Sequence, residues 1–337
     1  MQVKRIRSVK EVLHWTRRDI LYLLLLASLP TVLYQVVGWK WLSIPWLPVA
    51  LIGTAVSFIV AFKNNASYDR SWEARKIWGS IVNTSRAWAS SVIGYIDAQQ
   101  ISQEEKHSIY LRLINRHIAW LTALRFQLRE TKPWESMHIK DNREIREKHY
   151  TIEEHEKALE GEMKKYLPDE EYDYVVKQSN KAAQILTYQA MDLNRLHSQG
   201  LIDSFQHVSL QNIVVELYNH QGGSERIKNF PYPRQHATLN LFYIRIFTFL
   251  VPFGMLREFE KLMGPELVWL TIPLAALAGW IFTTMEKVGD TSENPFEGGA
   301  NDTPITQISR NIEIDLLEMI REPHQLQPKQ AQFGVLT

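Results

Sequence analysis

The sequence predicts a mainly α polytopic membrane protein with four transmembrane helices and a cytosolic helical layer. Two observations carry this. Apolar residues are gathered into four long runs near the two ends of the 337-residue chain, and a densely charged stretch fills the middle. The bulk averages, with 22% of residues charged and a slightly negative mean hydropathy, would describe a soluble protein if that clustering were ignored.

The first run, 19–37, centres on Ile20-Leu21-Tyr22-Leu23-Leu24-Leu25-Leu26-Ala27. The second, 44–62, and the fourth, 267–285, are uncharged or nearly so, and the third, 239–256, contains Arg245. Each approaches the ~20 residues that cross ~30 Å of hydrocarbon as a helix. Several of the eleven Trp and thirteen Tyr lie at the ends of these runs, as a bilayer interface favours. A signal peptide is the competing reading of the first run, on its basic flank Lys4, Arg5, Arg7, Lys10, Arg17 and Arg18. The length of the run, the lack of a small-x-small site and the immediate second run oppose it. Buried core helices of a soluble protein would not need such long uncharged stretches.

The chain divides into 1–62, an N-terminal segment with the first two spans, and 63–238, a cytosolic helical region. The third and fourth spans follow at 239–286, and a C-terminal cytosolic segment and tail at 287–337. The basic N-terminal flank against the single Lys40 of the connector 38–43 puts the N-terminus in the cytoplasm, and four crossings return the C-terminus there. In 103–130, Ile109, Leu113, Trp120, Leu121 and Leu124 recur at helical spacing with His117 on the same face. The charged stretch 141–165 reads as a solvated helical face. Further helices are expected over 177–199, stopped by Gly200, and over 206–220, ended by Gly222-Gly223. The tail 325–337 reads as extended or disordered.

A net charge of +1 gives no field for nucleic acid, and the absence of Cys excludes disulfides, thiolate metal sites and thiol nucleophiles. His107, His117, His155, His197, His207, His220 and His236 lack zinc-protease spacing, and no phosphate-loop or nucleophile-elbow motif occurs. Arg245 needs a partner or a water-filled cavity, and Glu286 is the candidate partner.

The exit of the second run is the most specific stretch. Asn64-Asn65-Ala66-Ser67-Tyr68-Asp69-Arg70, followed by Trp72-Glu73-Ala74-Arg75 and Trp78-Gly79, resembles the signature of the bestrophin family in its bacterial branch. Gly222-Gly223-Ser224-Glu225-Arg226 with Pro231-Tyr232-Pro233, Asn294-Pro295-Phe296 with Asn301-Asp302, and Arg310-Asn311-Ile312-Glu313 are similar to later segments of that family, in its order. The resemblance implies a homopentamer around an axial pore for small monovalent ions, multi-pass in the inner membrane of a bacterium. It implies no enzyme activity and no required cofactor.

Within that frame Thr54, Phe58 and Phe62, four residues apart on one helix face, become a pore neck able to gate by dewetting. Without it, the same stripe reads as ordinary packing. The resemblance places a cytosolic aperture at Phe205, with Ile202 close to it and Asp203 adding negative charge. Asp203 also reads as a helix N-cap. Asp203 and the bacterial character of the signature favour cations over anions such as chloride. Asn294 and Asp302 fall where eukaryotic members hold calcium, but Gly298-Gly299 replace a run of acids. A weak calcium or other divalent cation site is one reading of this segment, and helix capping with local turn bonds the other. A non-conducting scaffold or sensor remains an alternative. So does a membrane enzyme built on Asp69, Glu73 and His14, with Arg70 and Arg75 holding a phosphate.

Overall fold

The computed structural model describes residues 1–6, 8–96 and 101–337, so Arg7 lies outside it. In chain order the helices are α1 (Val9–Trp15), α2 (Arg17–Gln35), α3 (Trp46–Tyr95), α4 (Gln103–Arg129), α5 (Lys140–His149), α6 (Glu153–Glu156) and α7 (Leu159–Met163). They continue with α8 (Asp169–Val175), α9 (Lys181–Ser198), α10 (Ser204–Asn229), α11 (Arg234–Met263), α12 (Thr271–Glu293) and α13 (Ile305–Met319). The described residues form no strand, only two isolated bridges near the chain ends.

Among the described residues three helices, α3, α11 and α12, are long and apolar enough to cross a bilayer. The first expected span, α2, has 19 residues and opens on Arg17-Arg18-Asp19, which lowers its mean hydropathy. It lies lengthwise and antiparallel on α12. Trp280 Nε1 donates to Thr16 Oγ1 at 2.9 Å and Lys287 meets Asp19 at 2.5 Å at one end, and Gln35 Nε2 donates to Pro265 O at 2.9 Å at the other. Small residues set the helix spacing: a side chain at Gly279 would strike Leu23, and one at Gly53 would strike Phe247. This layer's core is Ala27, Val49, Val56, Val60, Ile244, Phe247, Val251 and Ala275.

A larger core lies in the other layer, around Trp78, Ile81, Trp88, Leu113, Trp120 and Leu193. On α4 the expected face, Ile109, Leu113, His117, Trp120, Leu121 and Leu124, is buried. The boundary drawn at 62/63 falls inside α3, which runs unbroken for 50 residues from one layer into the other. Pro48 sits harmlessly in its first turn, where no intrahelical bond is lost.

Three expectations are revised. The helix over 206–220 does not end at Gly222-Gly223; α10 runs on to Asn229. Gly223 instead clears space for α3, since a Cβ there would press on Ile77. The charged stretch 141–165 is not purely a solvated face. Asp141 turns inward to Arg18 at 2.5 Å and Lys287 at 2.8 Å, and buried Glu154 meets Arg125 at 2.5 Å. The tail after α13 is extended but docked. Lys329 pairs with Glu153, Thr151 N donates to Gln332 Oε1, and Gln2 bridges to Val335, so the two chain ends lie side by side.

Candidate pore-lining face

In the apolar half of α3, one face is buried and the opposite one is bare. Val49, Gly53, Val56 and Val60 pack inward against α11 and α12. Thr54 faces outward, and Phe58 and Phe62 are 62% and 70% exposed in the single chain. The Thr54 hydroxyl donates to Ala50 O at 3.0 Å. A helix has ordinary reasons to expose Leu to lipid. Two Phe rings four residues apart on one bare face form an exposed aromatic stripe.

Immediately after Phe62 the helix acquires a buried cation. Lys63, 2% exposed, lies 2.6 Å from both Glu286 and Asp290 and 3.7 Å from Glu293. Asn240 donates to Glu286 and Arg234 to Glu293, so six polar side chains from α3, α11 and α12 share one knot. The knot also corrects the expected Arg245–Glu286 pair. Glu286 faces inward to Lys63 and Asn240, whereas Arg245 is exposed on another side of α11, with no ion pair among the described residues. The clue was present in the spacing of 286, 290 and 293, which repeats one helix face.

The signature residues divide by role. Arg70 donates to the carbonyls of Glu293 and Ile227, each at 2.9 Å, and so ties α3 to the ends of α12 and α10. Its burial among these carbonyls, away from water, disfavours its charge. Glu73 pairs with Arg226 rather than with Arg70. Trp78 is fully buried and tilted against Phe296, with ring centroids 6.3 Å apart. Tyr68 and Trp72 stack on each other on the exposed side, Asp69 and Gly79 are exposed, and Arg75 Nη2 reaches only Asn301 O at 3.4 Å. Asn64 is half-buried, with its amide unpartnered.

Farther along, Gly200 takes φ +73 and ends α9, and Leu201 N closes the turn on Leu196 O at 3.0 Å. Asp203 caps α10 in a capping box with Gln206, each accepting the other's backbone N–H at 2.8 Å. Phe205 then projects with 88% of its surface exposed, whereas Ile202 is buried in the core behind it.

In the turn 294–302, both Asp302 oxygens are occupied. They accept the backbone N–H groups of Phe296, Gly298 and Thr303 at 2.6–2.8 Å, and Arg129 Nη1 at 3.0 Å. Arg129, 173 positions away in sequence, is itself buried and also donates to Phe296 O at 3.0 Å. Asn294 donates to Trp134 O. Glu297 is fully enclosed and accepts Ser136 N at 2.8 Å and the Ser136 hydroxyl. Burial pushes its carboxyl up to about 8, the Ser136 bonds oppose the shift, and the nearby Asp302 and Glu135 carboxylates add to it. No cluster of three or more metal-ligating His, Asp or Glu occurs among the described residues. His117 is buried between Trp88 and Trp120 and bonds Ser85 Oγ at 2.8 Å, His197 stacks on His207, and His107 meets Glu322 at 2.7 Å. Of the residues proposed for an enzyme, His14 lies on α1 beside Arg17, and Glu73 is taken by Arg226.

Fold and site together define a helical membrane protein that presents an apolar aromatic stripe on a helix shared by both layers. The model of the bacterial and fungal bestrophin family matches residues 6–318, and the chain belongs to that family. It is 25% identical over 292 residues to the voltage-dependent anion channel-forming protein sll1024 of Synechocystis sp., covering 86% of this chain and 83% of that one. It is 26% identical over 275 residues to the voltage-dependent anion channel-forming protein mll4386 of Mesorhizobium japonicum, covering 82% and 75%. A crystal structure of a bacterial bestrophin homolog from Klebsiella pneumoniae shares the fold, with a TM-score of 0.74 at 21% identity over 91% of this chain and 98% of that one.

Proposed function

We propose that this chain is one subunit of a homopentameric ion channel in a bacterial inner membrane. α2, α3, α11 and α12 all cross the bilayer, and both termini lie in the cytoplasm. The supporting observation is the bare stripe Thr54, Phe58 and Phe62, on the face of α3 opposite the one that packs on α11 and α12. Around an axis, copies of this stripe stack into a hydroxyl ring and two aromatic rings, a narrow apolar tube that resists wetting. The antiparallel packing of α2 on α12 and the neighbouring chain ends are what four crossings require. Phe205, exposed at the start of α10, forms the cytosolic aperture, with Asp203 beside it and Ile202 supporting it from behind.

Cation conduction rests on Asp203, whose carboxylate stays outside the core two residues from the ring. Anion conduction is the second reading, favoured by the names of the curated relatives. The reversal potential of purified protein in an asymmetric-salt bilayer decides between them. Calcium is not required in either reading, since Asp302 already spends its oxygens on Arg129 and three backbone N–H groups.

The neck is tested by Phe58→Ala and Phe62→Ala, each expected to raise single-channel current several-fold. Unchanged current and selectivity in both variants would remove the neck from this face. A monomer in detergent would remove the shared pore altogether, and no ion flux in liposomes would leave the scaffold reading.

A further inference from the structure

One turn beyond Phe62, between α3 and α12, lies a cavity of about 280 Å³. Its wall includes Asn64, Ser67, Tyr68, Trp72, Arg75 and Gly289. Ser67 is fully buried, and its hydroxyl has no partner. The Asn64 side chain also leaves both its N and its O buried and unpartnered. Buried polar atoms are nearly always satisfied, and each one left bare costs free energy. Here unspent donors and acceptors line one hollow. Gly289 makes the arrangement feasible, since a Cβ at that position would lie 2.3 Å from Asn64 Oδ1.

Charge sets the guest's sign. No Asp or Glu lines the cavity, and its charged groups are the Arg75 guanidinium and the Met1 amino group, which donates to Leu336 O. That guanidinium bonds only the Asn301 carbonyl, at 3.4 Å, and meets no carboxylate among the described residues. The other signature cation, Arg70, is committed to two carbonyls. A cation would find no acidic ligand here. A guanidinium beside neutral donors, with an amino group already committed to a carbonyl, matches one carboxylate, which the guanidinium fork binds in two parallel hydrogen bonds. The paired rings of Tyr68 and Trp72, 6.3 Å apart and 8° from parallel, add a flat apolar wall.

We infer that this cavity binds a small organic carboxylate with an apolar body. The carboxylate sits on Arg75, the Asn64 amide and Ser67 hydroxyl complete its shell, and the body lies along Tyr68 and Trp72. A guest held there bridges α3 and α12 just past the aromatic stripe.

Calorimetry of the full chain in detergent tests this with sodium phenylacetate and its uncharged analogue, phenylacetamide. Phenylacetate should bind saturably, one per chain, at least about tenfold more tightly than the amide. Arg75→Gln should weaken phenylacetate at least about tenfold and leave the amide unchanged, and Ser67→Val should weaken both by roughly severalfold. Arg75 lies at the surface, so its variant keeps the test open if Ser67→Val does not fold. The absence of saturable heat, equal affinity for the two compounds, or wild-type binding by Arg75→Gln would overturn the assignment. Water alone then fills the cavity. Binding is read without conduction, so this result stands apart from the channel recordings.

Discussion

The two halves of α3 meet opposite surroundings. In its apolar half the buried face is made of small and β-branched residues, Val49, Gly53, Val56 and Val60, and the large rings Phe58 and Phe62 point away from the chain. In its charged half Trp78 and Trp88 are fully enclosed, and Tyr68 and Trp72 stay at the surface, stacked on each other. One helix is thus organised by two solvents. Where hydrocarbon surrounds it, burial of large apolar groups gains little, and close backbone approach through Gly sets the packing. Where water surrounds it, large apolar groups are driven inward. The two halves join at Lys63, whose charge is buried among three carboxylates rather than left at the surface.

The contrast is open to attack in order of expected effect. Trp120→Ala should cost about 3–5 kcal/mol, since the ring is fully buried and Nε1 donates to Gln221 Oε1 at 2.9 Å. Loss of the folded peak on size exclusion checks this. Lys63→Met should cost a similar ~3–5 kcal/mol by leaving carboxylates buried and unpaired. A lower apparent melting temperature in detergent, partly recovered by adding Glu286→Gln, is the expected pattern. Gly289→Ala should cost roughly 1–3 kcal/mol through its collision with Asn64.

A pH effect follows from Glu297. Its folded carboxyl titrates near 8, well above that of an unfolded glutamate, so between the two values the native chain holds a proton that the unfolded chain has released. Stability from this group is complete at low pH and declines as pH rises toward about 8. Glu297→Gln should flatten that decline in melting curves taken across the range. His117 works in the other direction. Burial lowers its pKa to about 3, so its contribution falls as pH drops below the ordinary imidazole range. The smallest stability change is expected for Phe58→Ala, within about 0.5 kcal/mol as for other exposed positions. A cost like that of Trp120→Ala would mean the two halves of α3 do not differ as described.

Local pattern carried much of the architecture. The apolar runs, the buried face of α4, the Gly200 stop and the Thr54–Phe58–Phe62 spacing all depend on residues within a few turns of each other. What stayed hidden was decided by partners remote in sequence. Nothing near Lys63 names Glu286 or Asp290, and nothing near Asp302 names Arg129. Glu286, at the end of the fourth span, is a candidate partner for Arg245 by sequence, but sequence position does not say which side of α11 a residue occupies. Gly222-Gly223 looked like a stop because glycine weakens helices, yet here it makes room for Ile77 on a crossing helix.

The unbroken length of α3 has a mechanical consequence. At 1.5 Å per residue its 50 residues form a rod about 75 Å long. Such a rod has no joint between the aromatic stripe and the water-facing layer. Leaning about 3° around its midpoint would carry each end roughly 2 Å in opposite directions. The continuous backbone of α3 is thus a single lever that joins the aromatic stripe to the water-facing layer.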